Sequence, residues 1–118
     1  MSNQDFAKLD LILRMAAHLD RRLSKMSRAS FLADLDEIDL TAFRLSVIGE
    51  TTAKLSDELK ARHPHVDWPA IYGMRNVIVH DYDAVLPDRL WAAYVNALGE
   101  LTDVCRIELD PSSTLMSN

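Results

Sequence analysis

Residues 73–85 read GMRNVIVHDYDAV. Val77, Ile78 and Val79 sit among Arg75, Asn76, His80, Asp81 and Tyr82, so the segment reads as a buried helix with polar groups set into it. At ~3.6 residues per turn, Ile71, Ile78, Val79 and Tyr82 fall within roughly 60° of Arg75. That spacing centres Arg75 on the main apolar face. Gly73, Val77 and His80 lie on the far side, which is not a charged solvent face either. A helix apolar nearly all round is buried on both sides. In a domain this small the second side needs a second chain, so Gly73, Val77 and His80 are expected to face a dimer partner, with the glycine allowing close approach.

Outward from this stretch, helical periodicity continues in both directions. Upstream, Asp67 is placed to cap a helix that starts near Trp68, with Pro69 in the first turn where proline costs little. Pro64 ends the preceding helix, expected over about Leu40 to Arg62, with Asp39 as its N-cap and Leu40, Phe43, Val47, Ile48, Leu55 and Leu59 packing inward. Arg44 and Thr51 project near the middle of that apolar arc, and Glu50 on its edge. A connector with a short helical turn around Phe31, Leu32 and Leu35 precedes it. Leu9, Ile12, Leu13, Ala16, Leu19, Leu23 and Met26 form a wide stripe on one long first helix, and Arg14, Arg21, Lys25 and Arg28 make its solvated outer face. Downstream, Pro87 suits a helix start, and a last helix runs through Leu90, Trp91, Tyr94, Leu98, Leu101 and Cys105. With no credible strand, the expected architecture is an all-α, up-and-down bundle of four to five helices, assembled as a homodimer.

The composition sets limits on function. A length of 118 residues implies one domain, and 48% apolar with 26% charged residues is a globular balance. Three glycines and four prolines are too few for the turns of an all-β fold. Cys105 is the single cysteine, so no internal disulfide forms, as suits a reducing compartment. No apolar run reaches a membrane span and no signal peptide is visible, which makes the cytoplasm the default. The net charge of −5 argues against a protein that coats nucleic acid, though not against a local basic cleft. His63 and His65 straddle a proline, and no carboxylate–histidine pairs stand on facing helices, so neither a metal nor a cofactor is expected.

A buried arginine is costly unless paired, and Glu50 or Asp81 could pair Arg75 in a purely structural role. A lone buried histidine is ordinarily a satisfied core or interface residue. Here arginine, asparagine, histidine and tyrosine crowd within eight residues of one helix, and that density favours function.

The run MRNVIVHDY, with Arg75, His80 and Tyr82, resembles the R-X4-H-X-Y motif of the HEPN superfamily, in particular its HepT-like members. RLSVIGET, residues 44–51, is similar to that family's second-helix segment. LSDELKARHPHVDWPAIYGMRN resembles its approach to the motif, and Leu90 with Trp91 its last helix. The resemblance implies a HEPN helical domain over residues 1–110, followed by a disordered tail at 111–118. It implies an all-helical homodimer whose two motifs meet across the interface as a metal-independent endoribonuclease, acting as the toxin of a toxin–antitoxin pair. The implied antitoxin is a small MntA-type nucleotidyltransferase that silences the toxin by transferring AMP to the motif tyrosine, here Tyr82.

The residues suit such chemistry. RNA carries its own nucleophile in the 2′-OH, and a histidine titrating near neutrality serves as general base or acid. His80 is the candidate, with Arg75 stabilising the charge that gathers on phosphate oxygens in the transition state. Arg75 and His80 lie ~140° apart on an ideal helix, too divergent for one compact site within one chain, which points to a site composed across a two-fold axis. Asn76 could orient His80 or bind phosphate, and Glu50 and Arg44 are supporting or RNA-contact candidates. The alternative is a non-catalytic helical partner of a nucleotidyltransferase, in which Arg75 and His80 only hold the dimer together.

Overall fold

The chain is described by a computed structural model over residues 3–80 and 86–110. Asp81, Tyr82 and the tail at 111–118 lie outside the described residues. Every described element is helical: α1 Asn3–Leu23, α2 Arg28–Leu32, α3 Leu35–Ala53, α4 Asp57–Arg62, α5 Trp68–His80, α6 Leu86–Asn96 and α7 Leu98–Leu109. No helix among them is long and apolar enough to cross a membrane.

The helix starts follow from local capping chemistry. Ser27 and Ser30 form a reciprocal capping box at α2. The Asp34 carboxylate accepts the Glu37 N–H at 3.1 Å and starts α3 a full turn before the Asp39 cap expected from sequence. Asp67 does cap α5, accepting the Ala70 N–H at 3.1 Å. One long helix was expected from Leu40 to Arg62, yet the chain breaks after Ala53. Two contacts explain the break. The Ser56 hydroxyl accepts the Leu59 N–H at 3.2 Å to start α4, and Asp5 on α1 accepts both the Ser56 N–H at 3.0 Å and its hydroxyl at 2.6 Å. Asp5 is itself buried, so this cap is a tertiary contact between the first helix and the break. The Ala53 carbonyl freed at the break accepts from Lys60 Nζ, and at the far end of α4 Trp68 Nε1 donates to the oxygens of Lys60 and His63. The expected last helix is likewise divided, at Ala97, into α6 and α7, which pack on each other. These divisions, with the short α2, give seven helices among the described residues where four or five were expected.

The centre of the molecule is α3, which packs on α1 along one side and on α5 along the other, while α7 packs on α1. The stripe read along α1 is the core: Leu9, Ile12, Leu19 and Leu23 are almost fully buried against Ile48, Leu101, Val104 and Cys105. Arg14 and Arg21 are exposed on its outer side; Lys25 and Arg28, expected on the same face, are exposed too but lie beyond its end, in the turn after Leu23 and at the start of α2. Arg14 pairs with Asp10, Arg21 meets His18, and Arg28 pairs with Asp88. Phe43 departs from expectation: it is 64% exposed, because the buried face of α3 is centred on Thr41, Leu45 and Ile48.

Candidate active site

Helix α5 presents two faces, set by where α3 lies. Ile71, Met74, Val77 and Ile78 turn toward the core. Tyr72, Asn76, Val79 and His80 are exposed. This corrects the assignment made from helical projection, which put Val79 inward and Val77 outward. Val77 packs against the chain's own core, whereas Val79 is 53% exposed. Gly73 faces open space within the protomer, with nothing within 4 Å of the position a Cβ would take.

Arg75 is not centred on the buried face but stands at its border, its side chain 31% exposed. Its Nε donates to Glu50 Oε2 at 3.1 Å, and Nη1 donates to Asn76 Oδ1 at a long 3.4 Å. Glu50 reaches across from α3 and is itself half exposed, so the pair lies at the surface and its worth to stability is small. Arg75, Glu50 and Asn76 are thus brought together. His80 ends α5, exposed on the same flank, with no bond to the other three. Arg44, six residues before Glu50 on α3, has no hydrogen bond or ion pair to any of them. Its Nη1 is buried without a hydrogen-bond partner.

Sequence reasoning missed Gly49, which lies buried in the interior of α3 exactly one residue before Glu50 and directly beneath Arg75. A buried glycine inside a helical pattern was the available signal. Exposed Phe43 was missed as well. It shares the solvent side of α3 with Glu50, the two being seven residues apart, or about two turns. Apolar Val79 and Phe43 and aromatic Tyr72 therefore accompany the polar group on the exposed surface of α3 and α5.

The remaining chemistry of the chain lies elsewhere. A cavity of about 380 Å³ opens between α5 and the α6–α7 junction over Leu45 and Ile48, but neither Arg75, His80 nor Glu50 lines it. Burial pushes the Cys105 thiol up to about 12, so it is no nucleophile near neutral pH. Among the described residues no three His, Cys, Asp or Glu side chains cluster as metal ligands. His63, by contrast, is committed to structure, with its Nε2 2.6 Å from Glu108 Oε2 and Arg62 on the same carboxylate. What α5 and α3 leave open to a ligand is a surface, bearing a guanidinium, an imidazole and an amide, rather than an enclosed pocket.

This all-helical chain, with Arg75 and His80 on α5, matches the HepT-like family, described as Ribonuclease HepT-like, over residues 12–107. The match covers most of the chain, which belongs to that family of ribonucleases. Among curated proteins it is 29% identical over 93 residues to "Putative RNase TTE0752" of Caldanaerobacter subterraneus subsp. tengcongensis, covering 79% of this chain and 83% of that protein. It is 30% identical over 47 residues to "Putative RNase MJ1380" of Methanocaldococcus jannaschii, covering 40% of this chain and 43% of that protein. No solved structure matches.

Proposed function

We propose that this protein is a metal-independent endoribonuclease whose site is composed by two copies of the chain, each contributing Arg75 and His80. The observation that carries the reading is the exposed flank of α5, where His80 and the Glu50-held Arg75 stand beside exposed Val79 and Tyr72. Apolar side chains left bare around charged ones suit a self-complementary interface about a two-fold axis. Within it, the His80 imidazole of one copy takes the proton of the RNA 2′-OH as its oxygen attacks the adjacent phosphorus. The His80 imidazolium of the other copy gives a proton to the departing 5′-oxygen. Arg75 guanidinium groups hold the non-bridging oxygens as charge gathers there. The products are a 2′,3′-cyclic phosphate and a 5′-hydroxyl. Family membership supports RNA as the substrate.

In the same reading the protein is the toxin of a cytoplasmic toxin–antitoxin pair, silenced by an MntA-type nucleotidyltransferase that adds AMP to Tyr82. A bulky anion two residues beyond His80 would occupy the phosphate's place, inhibiting by shape and charge together. Tyr82→Phe, co-expressed with the cognate transferase, is expected to stay unmodified and toxic. Modification persisting on the variant would remove this part of the proposal.

One observation favours a second reading. Arg75 already has an anionic partner in Glu50, as an arginine with a purely structural role would. In that case the protein is a non-catalytic helical partner of the transferase. The deciding experiment incubates purified, partner-free protein with an RNA pool in EDTA, beside Arg75→Ala and His80→Ala variants verified as dimers by light scattering. Cleavage by wild type alone, leaving cyclic-phosphate ends, is the expected result; inert wild type on every RNA leaves the scaffold reading.

A further inference from the structure

Gly49 on α3 lies against the backbone of α5. A Cβ built on it would lie 3.1 Å from the Ile71 carbonyl oxygen and 3.2 Å from the Arg75 Cβ. Ile71 and Arg75 are one turn apart on the same helix, so neither contact can yield by a rotamer change; α5 itself must move. The other glycines differ. Gly73 and Gly99 have nothing within 4 Å of the same construction. Alanine is the better helix former by a clear margin, so glycine in the interior of α3 costs helix stability and its gain lies in the close approach.

That approach has a consequence one residue on. Glu50 follows Gly49 and receives the Arg75 Nε–H at 3.1 Å. Nε is the inner nitrogen of the guanidinium, so this bond orients the group; Nη1 makes only the long 3.4 Å bond to Asn76, and the N–H groups of Nη2 face away for an anion. We propose that Gly49 is a positioning residue for Arg75: by letting α5 settle on α3, it sets the span across which Glu50 orients the guanidinium for the phosphate. The activity this tunes rests on the ribonuclease reading, while the geometry does not.

The test compares Gly49→Ala with Gly99→Ala, which adds the same methyl group at the start of α7 in open space. Two readouts are taken: steady-state cleavage of an RNA oligonucleotide, and water exchange of the Arg75 Nε–H by NMR. Gly49→Ala is expected to keep a thermal midpoint near that of wild type while kcat falls ~10-fold, since a displacement of a fraction of an ångström at a reacting group carries such a loss. KM should change little and Nε–H exchange should quicken; Gly99→Ala should match wild type in both. In a Glu50→Gln background the effect of Gly49→Ala should largely vanish, because the pair it acts through is already gone. If Gly49→Ala fails to fold, Glu50→Asp shortens the same span by one methylene without touching the helix contact, and the same loss of kcat is expected. Unchanged exchange and kcat in a folded Gly49→Ala, or in Glu50→Asp, overturns the proposal. Should wild type cut no RNA, the ribonuclease reading fails by itself, and the exchange measurement alone decides the positioning role.

Discussion

Arg75 stands at the border of core and solvent, and its partners give it a role that burial alone would not. A projection of α5 on its own sequence put this side chain at the centre of the apolar face; in the structure Met74 and Val77 also pack on the core, while the Arg75 Cβ lies over Gly49 of α3 and its guanidinium reaches outward. The residues proposed for the site, Arg75, Asn76 and His80, could be named from the sequence. Which of them turn to solvent could not, since that depends on how α5 lies against α3, a contact far from α5 in sequence. Replacing either Arg75 or His80 by alanine should lower cleavage by at least ~100-fold without unfolding the protein, as general acid–base and charge-stabilising groups contribute at that scale. Neither side chain is buried, which is why stability should survive. Cys105 gives a contrasting forecast. With its thiol pushed up to about 12 by burial, it should resist thiol reagents at pH 8 in the native protein and react promptly in denaturant. Rapid native labelling would place it outside the core.

At the scale of elements, the most informative feature is the break between α3 and α4. Helical periodicity runs straight through it in the sequence, because Leu55 and Leu59 continue the apolar spacing and both are buried. Part of the signal is local, the Ser56 cap on the Leu59 N–H, but the carboxylate that holds Ser56 in place belongs to Asp5, 51 positions earlier and outside any local window. Ser56→Ala should cost ~1–2 kcal/mol, the usual range for a lost N-cap, and chemical denaturation would measure it. A loss near zero would mean that the Asp5 contact is incidental. Where the determinants are local the sequence sufficed: the α1 stripe, the Asp67 cap and the start of α5 at Trp68 all follow from residues within a few positions. Phe43 was misplaced for the opposite reason, since its apolar character suits a face that the single chain leaves bare.

At the scale of the molecule, two surfaces define behaviour: the α4–α7 ion cluster and the α3–α5 flank. Burial would push the Glu108 carboxyl up, but the hydrogen bonds from Arg62 and His63 outweigh it and hold the group below its ordinary 4.5. The folded state thus favours the ionised form. The stability gained is full above pH 4.5 and drains as pH falls through the lowered value. Glu108→Gln should weaken the fold by ~2 kcal/mol near neutrality and blunt the acid limb of a denaturation profile, since a hydrogen-bonded charged group is lost. On the other surface, if the proposed dimer forms there, Val79→Asp should shift light scattering toward monomer and abolish the proposed cleavage with it. The measurement that reaches the central claim most directly mixes protomers. Wild type and His80→Ala are co-refolded in varied ratios, and RNA cleavage is followed against the wild-type fraction. A site that needs His80 from both copies predicts activity falling as the square of that fraction, to about a quarter at equal mixing. Activity that falls only in proportion, to about a half, would place a complete site within each chain and contradict the composite arrangement.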